Sequence, residues 1–148
     1  MKIRPLRRKD IASTTKIIGK NYSHFYGLKS SQEMGAMFDN MVIPPKYLVA
    51  EEGGEIIGCG GYIQSWMDYH VYNIFWINVD PTYQRKGIGT QIVRAIISDI
   101  KKQKGKDKRA DLILLTTTKP KFYQKRFGFK TLTKFGGDKD DLMALDLR

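Results

Sequence analysis

Residues 84–90, Gln84-Arg85-Lys86-Gly87-Ile88-Gly89-Thr90, set two glycines and two cations at a strand-to-helix junction. Upstream lies the apolar run Ile74-Phe75-Trp76-Ile77-Asn78-Val79. Downstream, Ile92, Ile96 and Ile100 recur every four residues with Val93 and Ile97 beside them, one apolar face at helical period. The first amides of such a helix have no intrahelical partner, and its dipole adds partial positive charge there. Gly87 and Gly89 carry no Cβ, so the chain can bend and a ligand can approach the N–H groups. With Arg85 and Lys86 alongside, the stretch suits a phosphate or pyrophosphate. The alternative is a surface turn with solvated cations.

Spacing narrows the choice of ligand. A P-loop needs Lys-Ser/Thr after its second glycine, and a dinucleotide fingerprint needs a third glycine; neither is here. What remains, Gln84-x-x-Gly87-x-Gly89 behind Val79-x-Pro81, resembles the Gln/Arg-x-x-Gly-x-Gly/Ala signature of GNAT-type N-acetyltransferases. Supporting matches are Val49-Ala50-Glu51 with Ile56-Ile57-Gly58, and Phe122-Tyr123 before Gly128-Phe129. The resemblance implies acetyl-CoA as cofactor, its pyrophosphate on the turn formed by Gln84, Arg85, Lys86, Gly87, Ile88, Gly89 and Thr90. It further implies that backbone N–H groups of Ile77, Asn78 and Val79 meet the thioester carbonyl and pantetheine.

The elements that must position this turn are legible in outline. Residues 2–7 read as a strand, and Asp10 as the N-cap of a helix through about Tyr22. Residues 22–27 read as an aromatic connector. Ser30-Ser31-Gln32-Glu33 has capping-box spacing for a second helix to about Met41. Two strands over residues 46–51 and 55–63 meet at the Gly53-Gly54 turn. Residues 65–70 connect them to a long strand over residues 71–79. After the helix, residues 111–117 form a near-continuous apolar strand expected to be covered on both faces. Pro120 starts a short helix through Phe127, ended by Gly128. Strands over residues 129–133 and 142–147 complete the order β-α-α-β-β-β-α-β-α-β-β, one domain over 1–148. The fold class is α/β in the broad sense: an α+β mixed sheet, mostly antiparallel and flanked by helices. The family resemblance implies that this sheet splays between strands four and five, residues 71–79 and 112–117.

Acetyl transfer to an amine needs a neutral amine, a stabilised carbonyl oxygen and a proton for the departing thiolate. The resemblance assigns that proton to Tyr123 as catalytic residue. Yet Tyr123 stands one residue farther from Gly128-Phe129 than the family's Tyr-x-x-x-Gly-Phe, a rotation of about 100°. A widened last helical turn would absorb it; otherwise Tyr123 is packing. Lys119-Pro120-Lys121 replaces the family's asparagine near this helix start. Candidates for the base are Asp68, His70 and Glu33. Cys59, flanked by Gly58, Gly60 and Gly61, reads as strand filler rather than nucleophile. The acceptor site is expected to be lined by Tyr22, Phe25, Tyr26, Trp66, Asp68 and Tyr69, aromatics that either hold a cation or pack helices.

The composition bounds the rest. The chain has 148 residues, 41% hydrophobic and 28% charged, with a single cysteine and a net charge of +11. No apolar run has membrane-spanning length, and the first residues lack the apolar centre of a signal peptide, so a cytoplasmic protein without membrane association is expected. The expected assembly is a monomer or homodimer. The basic run at residues 101–109 suits a solvated helix end or a field attracting a polyanion; no specific nucleic-acid motif accompanies it. The sequence favours an N-acetyltransferase that moves acetyl from acetyl-CoA to a primary amine, on a small molecule or a protein, by direct transfer in a ternary complex. No metal is expected. A catalytically weak coenzyme-A-binding regulatory domain and a nucleic-acid-associated basic protein are the alternatives.

Overall fold

Seven short segments build one sheet, described here by a computed structural model of residues 1–148. The strands are β1 (Lys2–Pro5), β2 (Lys46–Glu52), β3 (Glu55–Gln64), β4 (Val71–Val79), β5 (Leu112–Thr117), β6 (Lys130–Phe135) and β7 (Asp140–Asp146). The helices are α1 (Ile11–Asn21), α2 (His24–Gly35), α3 (Ile88–Lys101) and α4 (Pro120–Phe127). The sheet order is β1-β2-β3-β4-β5-β7-β6. Every pairing is antiparallel except β4 with β5.

That parallel pairing is short. Val71, Tyr72 and Asn73 face Leu112, Ile113 and Leu114, and β4 then runs on through residues 74–79 with no partner on β5. The sheet splays where the family resemblance places the opening. A bulge contributes: between Cys59 and Gly61 on β3 the facing residues on β4 are Asn78 and Phe75, so Trp76 is extra. Trp76 has φ of 52°, a left-handed conformation that costs a non-glycine residue about 1 kcal/mol or more. The bulge sends Trp76 and Phe75 to the same side of the sheet, toward the α1–α2 layer.

The main core lies between the sheet and α3, where Ile92, Val93, Ile96 and Ile100 are fully buried. Gly60 allows that approach: a Cβ there would lie 2.6 Å from Ile77 Cδ1 and 2.9 Å from Ile92 and Ile96. On the other face α1 packs on β3 and β4, around Leu6, Ile18, Met34, Tyr47, Val49 and Cys59. This second layer stops at β4. Leu112 and Leu114 are therefore only half-buried, and β5 is not covered on both faces as its apolar run predicts.

Two helix boundaries differ from the sequence reading. Asp10 makes no side-chain cap bond to α1. It is spent on Arg4, whose guanidinium donates to Asp10 at 2.7 and 3.1 Å, with the Arg7 amide at 2.8 Å. A buried guanidinium must be paired, and that requirement overrides the cap. The second helix begins at His24 rather than near Ser30, capped by Ser23, whose oxygen accepts from the Tyr26 amide at 3.3 Å. Ser30 and Ser31 instead donate back to the carbonyls of Gly27 and Leu28. The aromatic connector is thus the first turn of α2. Smaller shifts place β6 at residues 130–135 and start β7 at Asp140.

Hydrogen bonds from Arg4 hold the Asp10 carboxyl below its ordinary range. Its contribution to stability is therefore full above the usual carboxylate pKa and is lost as pH falls through the lowered folded value. Asp10→Ala, which removes the buried bidentate partner of Arg4 and leaves it only the partly exposed Glu51 at 3.1 Å, should cost about 3 kcal/mol in urea denaturation at pH 7. The difference from wild type should shrink on acidification; a difference that persists unchanged at pH 2 would contradict this role.

Candidate active site

Asp80 turns the chain out of β4. Its carboxylate accepts from the Thr82 amide at 2.9 Å and hydroxyl at 2.6 Å, with Lys20 at 3.3 Å, and these partners lower its pKa, Thr82 foremost. A 3-10 turn over Pro81–Tyr83 follows, and the chain then passes through Arg85 at φ 64° and Gly87 at φ 78°. A glycine suits the second position because no Cβ resists it. The first bond of α3 runs from the Gln91 amide to the Gly87 carbonyl at 3.2 Å, so the Ile88, Gly89 and Thr90 amides have no helical acceptor. Arg85 and Lys86 are exposed beside them, Lys86 Nζ resting 5.4 Å from the Tyr83 ring. A Cβ on Gly89 would stand 3.7 Å from Val79 Cγ2 and 3.8 Å from Phe122, so Gly89 lies at a narrow lip between β4 and α4.

Gln84 is occupied otherwise. Its amide nitrogen donates to the Val79 carbonyl at 3.0 Å and to Asn21 Oδ1 at 3.2 Å. Asn21, the last residue of α1, donates to the same carbonyl at 2.9 Å and to Asn78 Oδ1 at 3.0 Å. Together they fasten the end of α1 to the end of β4 and to the turn. Nothing in the local sequence marks Asn21, because its partners lie some sixty residues away.

The open edge of β4 at residues 74–79 leads directly into this turn. α4 comes close to the turn through Phe122, and the next residue, Tyr123, is 8% exposed, with Phe122, Phe127 and Phe129 at ring distances of 4.9, 6.1 and 5.8 Å. Burial raises its pKa, and the nearby Tyr22 phenol raises it further. Its hydroxyl makes no hydrogen bond within the chain, yet it is not sealed as Thr15 Oγ1 and Asn78 Nδ2 are. The extra residue before Gly128 is taken up at the helix end. Gly128 adopts φ 81°, its amide bonds to the Gln124 carbonyl, and the Phe129 amide reaches back to the Tyr123 carbonyl at 3.3 Å. That six-residue closure is a widened last turn.

The residues expected to line an acceptor site fall into two groups. Tyr22, Phe25 and Tyr26 cluster with Trp76, which the sequence reading left inside the strand. Trp66, Asp68 and Tyr69 sit at the opposite end of β4. There Gln64 donates to the Tyr69 carbonyl, and His70 Nδ1 and Tyr72 meet the carbonyls of Arg109 and Lys108 at 2.6 Å. These contacts tie that loop to the chain just after α3, whose 14 residues span about 20 Å from the glycine turn. Asp68 accepts the His70 amide as a local turn cap. Of the three candidate bases only Glu33 lies by the bulge, its Oε2 accepting from Trp76 Nε1 at 2.6 Å.

Residues 44–131 match the family described as "Acetyltransferase (GNAT) domain". The chain belongs to the GNAT acetyltransferase family. No curated protein sequence matches it. Its fold is similar to that of an aminoglycoside 6'-N-acetyltransferase complexed with coenzyme A, at 17% identity over 100% of this chain and 98% of that one, TM-score 0.79. It is similar also to PaiA N-acetyltransferase from Thermoplasma acidophilum in complex with coenzyme A, at 19% identity over 98% of each chain, TM-score 0.74. A GNAT-family protein from Desulfovibrio desulfuricans superposes with TM-score 0.83 at 15% identity over 99% of each chain. At these identities the likeness is one of fold. The GNAT opening between strands four and five is the β4–β5 splay described above.

Cys59 is excluded from covalent chemistry by its surroundings. It is fully buried, burial pushes its thiol up to about 12, and its only contact of note is the Trp76 carbonyl. A thiol held neutral is a poor nucleophile. Iodoacetamide at pH 8 should leave the native protein unmodified by mass spectrometry and modify it once on denaturation; rapid labelling of the native chain would overturn this.

Proposed function

We propose that the protein is an N-acetyltransferase that moves acetyl from acetyl-CoA to a primary amine by direct transfer in a ternary complex. One observation carries the reading: an unpartnered β4 edge runs straight into a turn with three free helix amides and two cations. The residues present fit the cofactor. A polyamide arm can pair with the open edge of β4, and Ile88, Gly89 and Thr90 can donate to a pyrophosphate beside Arg85 and Lys86. Coenzyme A bound in relatives of the same fold supports this assignment. Acetyl-CoA supplies an activated acyl thioester.

The chain's own groups then have distinct tasks. Backbone N–H groups on the open side of the Ile77–Val79 segment orient the acyl carbonyl, the Asn78 amide itself facing Cys59 on β3. Asn21 and Gln84 position that strand end through the Val79 carbonyl. Tyr123 holds its proton at neutral pH and points it toward the departing sulfur. The dry surroundings that raise the phenol also raise the basicity of a thiolate released there.

Acetyl-CoA should raise the melting temperature by binding the native state. Gly89→Glu should abolish that shift by putting bulk and negative charge at the lip; an undiminished shift in a folded variant would remove the turn from the site. Tyr123→Phe should lower turnover roughly ten- to a thousandfold with little change in cofactor affinity, since only a hydroxyl is lost. Full turnover in Tyr123→Phe, measured where chemistry limits the rate, would make Tyr123 a packing residue.

A further inference from the structure

Three aromatic rings form a triangle on the α1–α2 side of the bulge. Tyr22 lies 6.1 Å from both Tyr26 and Trp76, and Tyr26 lies 6.3 Å from Trp76, with Phe25 5.3 Å behind Tyr26. Every pair is edge-on or tilted. Tyr22, Phe25 and Tyr26 are 61%, 66% and 48% exposed, so this cluster is not a core that happens to contain aromatics. It also holds Trp76 in its left-handed backbone conformation, the kind of strain that gathers at functional positions.

The cluster has no internal cation. The chain's cations over aromatic rings are Arg8 on Phe38, Lys86 on Tyr83 and Arg126 on Phe122, all elsewhere. One carboxylate touches it and a second acts on it from β7. Glu33 accepts the Trp76 indole N–H at 2.6 Å, and the Tyr22 phenol is raised first by burial and then by the negative charge of Asp140 at the start of β7. Neither enters any ion pair of the chain, although Lys and Arg outnumber Asp and Glu 26 to 15. Open π-surface beside unpaired negative charge is a site for an organic cation. Trp76 connects it to the proposed chemistry, since it stands in β4 immediately before Ile77, Asn78 and Val79.

We propose that this cluster is the acceptor subsite and selects an amine bearing a second positive charge, a diamine or polyamine. The distal ammonium rests on Tyr22, Tyr26 and Trp76 beside Glu33, and the other nitrogen is acetylated. The transfer forms the N–C(O) bond, breaks the C–S bond of the thioester and moves one proton from the amine to the departing sulfur. The choice of acceptor rests on the acetyl-transfer reading; cation binding at the cluster does not.

Tryptophan fluorescence reads the site directly. In a Trp66→Phe protein Trp76 is the sole indole, and its emission can be titrated with 1,4-diaminobutane, n-butylamine and 4-aminobutyrate. The diamine should quench saturably at about tenfold lower concentration than n-butylamine, and 4-aminobutyrate should not bind. Glu33→Gln keeps an acceptor for the indole N–H while removing the charge. It should weaken diamine binding about tenfold in the fluorescence titration while changing n-butylamine binding far less, so that the preference for the diamine is lost. Equal affinity for all three amines, or Glu33→Gln binding the diamine like wild type, would overturn the cation subsite. Selective diamine binding with no thiol released from acetyl-CoA for any amine would uphold that subsite and overturn the transfer reading joined to it.

Discussion

A backbone that starts a parallel pairing and abandons it must satisfy its polar groups elsewhere. In this protein β4 and β5 pair over residues 71–73 and 112–114 and then part, leaving the β4 edge open over residues 74–79. The other strands of the sheet hold their pairings, with only local bulges. The splay is therefore built in: α3 fills one face with a continuous isoleucine stripe while the bulge at Trp76 changes the course of β4. The glycine turn follows directly on this open edge, and Trp76 of the aromatic cluster lies within it.

Rigidity around the opening comes from long-range polar ties rather than from the core alone. Asn21 and Gln84 converge on the Val79 carbonyl, and Lys20 adds a contact to Asp80 one residue later. The exposed Lys20 pair contributes little by itself, since screened surface pairs are worth about 1 kcal/mol at most. The amide bonds matter more, because they align β4 with the free amides of α3. At the other end of the layer Arg4, Asp10 and Glu51 join β1, β2 and the entry to α1.

The glycine turn was legible in the sequence because its chemistry is local: two glycines, two cations and a helix with one apolar face suffice to place free amides. The succession of elements along the chain was legible for the same reason, most segments carrying their own apolar pattern and turn residues, whereas the place of β7 between β5 and β6 was not read. The α2 boundary was not. Ser23 and Ser30 offer similar caps, and the choice depends on α2 packing against α1. Trp76 was missed because a bulge exists only relative to the partner strand. Trp66, Asp68 and Tyr69 were grouped with Tyr22–Tyr26 for their type, whereas the fold puts them at opposite ends of β4. Asp10 looked like a cap until a buried arginine claimed it.

The central claim is that the open β4 edge and the glycine turn form one continuous binding surface. Amide chemical shifts in an NMR titration with coenzyme A test it residue by residue. The account predicts that the amides of Ile77, Asn78 and Val79 move together with those of Ile88, Gly89 and Thr90, while residues 101–109 stay still. Perturbation confined to the basic segment at 101–109, with the β4 edge and the turn unmoved, would contradict it.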